Sequence, residues 1–218
     1  LRPRPEKDKG RVMFDIVEST TEEGLGFDPS QGMSGTSTKC LCCQAALKSD
    51  YVRRFGQEIG YGQQLLCVIA VNPFNSGKLF LLDHSWVDAE TGRQNLAEER
   101  ALKLEDDLKL LTLDEVIPPT GNAGLATGKS YLYGIKTFRQ MYTPRQRYVM
   151  LEFVRAVRDA HDQMIQNGLD KARAEALTVF LALWVSRMTD RFNSLTRWDN
   201  TGEKIQSFTS MKRIAMTW

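Results

Sequence analysis

The sequence predicts an α+β protein: a β-rich part built round a cysteine knuckle, then a helical part with an antiparallel helix pair. Three observations carry that expectation. Lys39-Cys40-Leu41-Cys42-Cys43-Gln44 packs three of the four cysteines into four positions. Gln64 to Val71 (QLLCVIAV) and Lys78 to Leu82 are apolar runs joined by the turn residues Asn72-Pro73-Phe74-Asn75-Ser76-Gly77, which is the pattern of a hairpin with a long loop. Thr143-Pro144-Arg145-Gln146 is a helix start, and a second helical pattern follows it after a short break.

The elements follow in order. Arg2 to Gly10 is rich in proline and charge and reads as a linker. Arg11 to Glu18 (RVMFDIVE) mixes β-branched and aromatic residues with partial alternation, which indicates a strand. Ser19 to Lys39 reads as a long loop, with Asp28-Pro29-Ser30 as a turn signal. After the cysteines, Ser49 to Gly56 fits either a short helix or a bent strand. The run from Gln64 to Val71 is so uniformly apolar that it reads as a strand buried on both faces. Between Val87 and Leu111 the residues favour a helix but form a weak apolar stripe, so one exposed helix is expected around Asn95 to Lys103. Ile117-Pro118-Pro119 to Gly128 is a loop, and Lys129 to Phe138 is irregular or extended.

In the helix start, Thr143 stands at the N-cap, Pro144 at the first position and Gln146 at the third. A proline there loses no hydrogen bond, because the first N–H groups of a helix are unpaired anyway. Met150, Phe153, Val154, Val157, His161, Met164 and Ile165 then recur at helical spacing until Asn167-Gly168 stops the run. Asp170 caps a second helix with Leu177, Phe180, Leu181, Trp184 and Met188 on one face. The two helices are expected to pack on each other and on something else. No internal repeat is present.

Composition bounds the function. With 42% hydrophobic and 26% charged residues, the 218-residue chain is a folded protein and not a disordered one. No apolar run approaches the roughly 20 residues of a membrane span, and no signal peptide opens the chain. Clustered cysteines suit a metal site in a reducing cytoplasm better than a disulfide scaffold. The net charge of +2 is unevenly spread. Residues 86–117 hold four basic and nine acidic side chains, whereas residues 138–213 hold thirteen basic and eight acidic. The basic end fits a phosphate backbone or, more plainly, a solvated helical surface. The acids Glu98, Glu99, Glu105, Asp106 and Asp107 read as a solvated face. The first residue is Leu1, and Ile214 to Trp218 reads as the opening of a strand, so the chain is expected to be a fragment.

Cys40 and Cys43 have the C-x-x-C spacing of a zinc knuckle, in which a tight turn aims two thiolates at one tetrahedral metal. Four ligands are needed and this half-site supplies two. Cys42 lies between them and would serve in a shifted register. Cys67 reads as an inert core thiol. A self-contained site from Cys40, Cys43, Cys67 and His84 is the alternative to ligands outside the chain. His161 reads as a packing histidine. No Gly-rich phosphate loop, Ser/His/Asp set or HExxH motif is present, and two histidines leave little room for imidazole chemistry. The expected division is residues 1–85 as a β-rich, zinc-ribbon-like part, 86–137 as an acidic, Pro/Gly-rich connector with a short helix, and 138–218 as the helical part.

Several stretches, in order along nearly the whole chain, resemble the large prokaryotic adenine-specific DNA methylases that contain a zinc ribbon. They are Arg11 to Glu18, Gly35-Thr36, Lys39 to Cys43 with Asp50-Tyr51-Val52-Arg53, and Gln64 to Ala70. Further on come Tyr133-Gly134-Ile135, Met141 to Gln146, Asp190 to Ser194 with Trp198, then Ser207-Phe208 and Ala215 to Trp218. The resemblance implies an enzyme that uses S-adenosylmethionine to methylate the exocyclic amine of adenine in double-stranded DNA. It implies that the cofactor loop lies upstream of this stretch and an acidic-Pro-Pro-Tyr motif downstream. Asn72-Pro73-Phe74 lacks the second proline and the tyrosine and reads as a turn. An upstream cysteine pair would complete the zinc site, with Cys40 and Cys43 matching the family's second pair. Gln44 departs from the glycine usual there. No catalytic or S-adenosylmethionine-binding residue falls within the chain. Arg145, Arg147, Arg155, Arg158, Arg187, Arg191 and Arg197 are the candidate DNA contacts, and the remainder of the methylase is the other expected partner. The competing expectation is a stand-alone zinc-dependent DNA- or protein-binding module.

Overall fold

The fold is α+β in a computed structural model that describes residues 1–21, 23–28, 33–34, 37–110, 114–117, 130–199 and 201–207. The chain forms two compact units. One comprises Leu1–Glu90 with Leu132–Gly134, the other Thr91–Tyr131 with Ile135–Thr217.

The first unit is made of small antiparallel hairpins and one helix. β1 (Arg2–Glu6) pairs with β2 (Arg11–Asp15) in the register Arg2↔Asp15 to Glu6↔Arg11. The linker expected over Arg2 to Gly10 is therefore a strand and a turn. Its prolines, Pro3 and Pro5, are two apart, so both nitrogens face the unpaired edge and the missing N–H costs no ladder bond. Arg2 and Arg4 reach Asp15 at 3.6 Å each, and Met13 and Phe14 of β2 are buried. Strand β2 stops three residues short of the expected Glu18.

β3 (Met33–Ser34), β4 (Ser37–Lys39) and β5 (Ala46–Lys48) form a three-stranded antiparallel sheet. Part of the stretch expected to be loop is thus paired. The open choice at Ser49 resolves as helix α1 (Ser49–Glu58). One of its residues, Gly56, meets Gly134 backbone to backbone. A Cβ on Gly134 would lie 2.0 Å from the Gly56 carbonyl oxygen, and Gly134 itself has φ +89°. Two glycines are what allow this approach.

β6 (Val68–Val71) and β7 (Lys78–Leu81) form the expected hairpin. Burial on both faces does not follow, because Val68, Val71, Leu79 and Leu81 are exposed. Among the described residues the sheet has only two strands, and a hydrophobic run needs a covering layer to become a core strand.

In the second unit, α2 (His84–Asp107) is far longer than the helix expected at Asn95 to Lys103; the division between units falls inside it. Ala97, Ala101, Leu104 and Leu108 are buried at helical spacing, and Leu151 packs on the last three. Helix α3 (Pro144–Gln166) starts at the complete capping box: the Gln146 N–H donates to Thr143 Oγ1 and the Thr143 N–H to Gln146 Oε1. It ends at Asn167, and Gly168 takes the left-handed φ of +81°. α4 (Lys171–Thr189) begins with Asp170 accepting the Arg173 N–H, as expected.

α3 and α4 pack against each other, but not by the expected face. The buried residues of α4 are Ala174 and Val185, while Leu177, Phe180 and Trp184 stay exposed. Small residues let helix axes approach closely, whereas Phe180 and Trp184 would hold them apart. A second cluster gathers Ile117, Met141 and Leu195, with Asn193 buried beside it and bonded to Thr189 and Leu195. β8 (Arg197–Asp199) and β9 (Lys204–Gln206) close a last hairpin. The expected loop 118–128 and the strand at 214–218 lie outside the described residues. No helix among them is long and apolar enough to cross a membrane.

Candidate functional site

The cysteine knuckle is the tip of the β4–β5 hairpin. Lys39 pairs with Ala46 at the end of the ladder. The Cys40 N–H then donates to the Ala45 carbonyl at 2.8 Å, and the Gln44 N–H to the Cys40 carbonyl at 2.8 Å. These bonds close a tight turn over Cys40 to Gln44. Gln44 sits in the left-handed region at φ +62°, the conformation for which glycine is the ordinary choice. The turn therefore forms without glycine, with the strain carried by Gln44.

The turn points its backbone at one sulfur. The N–H groups of Cys43 and, next, Cys42 bond to the Cys40 thiol and hold its pKa below the ordinary thiol value. The Cys43 side chain also hydrogen-bonds to it, so the two sulfurs converge. Stabilising the thiolate with N–H dipoles is what a metal-binding cysteine requires, since the anion is the ligand. Cys42 Sγ donates to the Arg11 carbonyl at 3.6 Å, which draws it to β2. Zinc fits Cys40 and Cys43 as two of its four donors: both are soft thiols, one exposed and one half-buried, at a C-x-x-C spacing. When bound, zinc would tie this hairpin tip to whatever supplies the other two ligands.

Among the described residues, no cluster of three or more His, Cys, Asp or Glu is placed to hold a metal. The self-contained alternative has a specific obstacle. The His84 Nε2 faces Arg4 at 3.2 Å and Asp15 at 3.6 Å. Cys67 lies just before β6, and burial pushes its thiol pKa up, so it stays protonated. That agrees with an inert thiol.

The candidate DNA-binding arginines do not share one surface. Arg147 is buried, with 5% of its side chain exposed; it lies 2.7 Å from Glu98 and 3.1 Å from Glu105. These are close ion pairs whose N–H directions miss hydrogen-bond alignment. Arg158 donates to the Leu108 carbonyl at 2.6 Å, capping the end of α2. Arg155 is ion-paired to Glu152 one turn away. Arg197 is half-buried, and Arg145, Arg187 and Arg191 are exposed. Arg147 is thus corrected from a surface contact to an internal one.

The acidic stretch is corrected in the same way. Glu105, with 14% of its side chain exposed, takes a bidentate pair from Arg139 at 2.9 and 3.1 Å. Arg139 also donates to Asp114 at 2.7 Å. The sequence reading overlooked Arg139, although the opposite charges of 86–117 and 138–213 were a signal that the two regions meet. His161 lies 3.2 Å from Asp162 and is half-buried, as expected of a packing residue.

No protein-family model, curated protein or solved structure matches this chain. The knuckle and its surroundings therefore rest on their own chemistry: a half-site for a thiolate-binding metal at a hairpin tip, with no acid–base or nucleophilic set among the described residues.

Proposed function

We propose that the chain is an internal segment of an S-adenosylmethionine-dependent DNA methyltransferase that modifies the exocyclic amine of adenine in a cytoplasmic setting. In this reading it is a zinc-binding insertion that positions double-stranded DNA or braces the catalytic region, while the cofactor and the flipped base are held elsewhere in the enzyme. The observation that carries the reading is the knuckle turn, in which two backbone N–H groups are bonded to the Cys40 sulfur. The ordered resemblance from Arg11 to Trp218 supplies the enzyme class. Arg145, Arg187 and Arg191 are the exposed arginines left as phosphate contacts.

The test is sequencing of host DNA for N6-methyladenine after expression of the whole gene product. Modified adenines in one recurring short sequence are expected. Unmodified DNA overturns the enzyme reading, and zinc-dependent DNA binding by that unmodifying protein would make it a stand-alone module. The isolated chain is expected to show no micromolar binding of S-adenosylmethionine by calorimetry.

A further inference from the structure

Helix α4 is apolar around most of its circumference, yet only one side of it is covered. Ala174 and Val185 face α3, and the Trp184 ring meets Phe153 edge-on at 5.9 Å. The rest of the apolar surface is open: Phe180 is 71% exposed, Leu183 60%, and Trp184 and Val179 57% each. A helix that is hydrophobic on nearly all sides is ordinarily an interior helix. Isolated exposed leucines need no explanation, but a contiguous arc containing Phe and Trp marks an interface.

Charge says what kind of surface covers it. At about 3.6 residues per turn, Arg173, Arg187 and Arg191 project on the same side as Phe180 and Trp184. All three are exposed, and they bracket the arc at both ends. The acidic Glu175 lies on the opposite side, where it pairs with Lys171 at 3.8 Å. A second copy is a poor occupant. Antiparallel pairing about Phe180 and Leu181 sets Arg173 of one copy beside Arg187 of the other, like charge against like.

We propose that this arc docks onto another folded part of the same methyltransferase, apolar at its centre and edged with carboxylates that meet Arg173, Arg187 and Arg191. The proposal rests on the enzyme reading above. Its consequence is that α4 is the seam by which the insertion is held to the rest of the enzyme.

The experiment compares the isolated chain with the whole gene product. Phe180→Glu is expected to leave the thermal midpoint of the isolated chain unchanged and to lower that of the whole product; Arg187→Glu should act in the same direction. Amides of α4 are expected to exchange with solvent about tenfold more slowly in the whole product than in the isolated chain. Equal exchange overturns the docking, whether or not host DNA is methylated. Slowed exchange without N6-methyladenine supports the docking and sinks the enzyme reading instead. Concentration-dependent dimers of the isolated chain that Phe180→Glu dissolves would assign the arc to a second copy. Phe180-dependent binding to phosphatidylglycerol vesicles would assign it to a membrane surface. Either result overturns the proposal.

Discussion

Cys40 differs from its neighbours because the backbone, not another charge, prepares it. N–H groups from Cys43 and Cys42 favour its thiolate, so metal binding there is expected to persist to lower pH than for an ordinary thiol. Cys42 is held by the Arg11 carbonyl and is not required. Cobalt titration should therefore show thiolate-to-metal charge transfer that Cys40→Ser and Cys43→Ser each abolish and Cys42→Ser retains. The loss at either ligand should be at least the roughly 10–100-fold that removal of an outer-shell partner costs a metal site. If Cys42→Ser removes the band as well, the register is shifted and the knuckle assignment fails. Gln44 offers a second check on the same turn. A β-branched side chain at φ +62° is disfavoured, so Gln44→Val should weaken the turn by about 1–2 kcal/mol and Gln44→Gly should not.

Elements show where local signals suffice. The capping box at Thr143 could be read directly, because every donor and acceptor in it lies within four consecutive residues. The same holds for Asp170, for Asn167-Gly168 and for the β6–β7 hairpin. What was hidden depends on distant partners. Nothing local in Arg2-Pro3-Arg4-Pro5 says that Arg11 to Asp15 will pair with it. The length of α2 was missed because its buried residues, Ala97 and Ala101, are small and leave a weak stripe. Half of the candidate site was legible for a related reason: C-x-x-C spacing is local, but the fate of each arginine is tertiary. The Gly56–Gly134 contact is likewise invisible in sequence, and it makes a sharp prediction. Gly134→Ala combines an unfavourable φ with a Cβ 2.0 Å from a carbonyl oxygen. It should cost more than about 3 kcal/mol, read as a lower urea midpoint for the first unit. An unchanged midpoint would mean that the two backbones do not meet.

For the whole molecule, the charge asymmetry between residues 86–117 and 138–213 is resolved largely inside the second unit. Glu98, Arg147, Glu105, Arg139 and Asp114 form a continuous chain of ion pairs linking α2 to α3 and to the loops on either side. Basic residues that look like a nucleic-acid surface in sequence are here holding two helices together. Arg147 and Arg187 should therefore respond differently to mutation. Arg147→Ala leaves carboxylates of α2 without their partner in a nearly buried position, and is expected to cost about 3 kcal/mol of stability. Arg187→Ala, being exposed, should leave the unfolding midpoint alone and register only in binding. Acid should dissolve the network from its outer end. A hydrogen bond from Arg139 holds the Asp114 carboxyl below its ordinary pKa of 3.8. A depressed carboxyl contributes stability that is complete above the ordinary pKa and lost as the pH falls through the lower, folded one. The difference in thermal midpoint between the native chain and Asp114→Asn should thus be constant at neutral pH and close as the pH drops below 3.8. A difference that persisted to the acid limit would show that Asp114 acts through packing and not through its charge on Arg139.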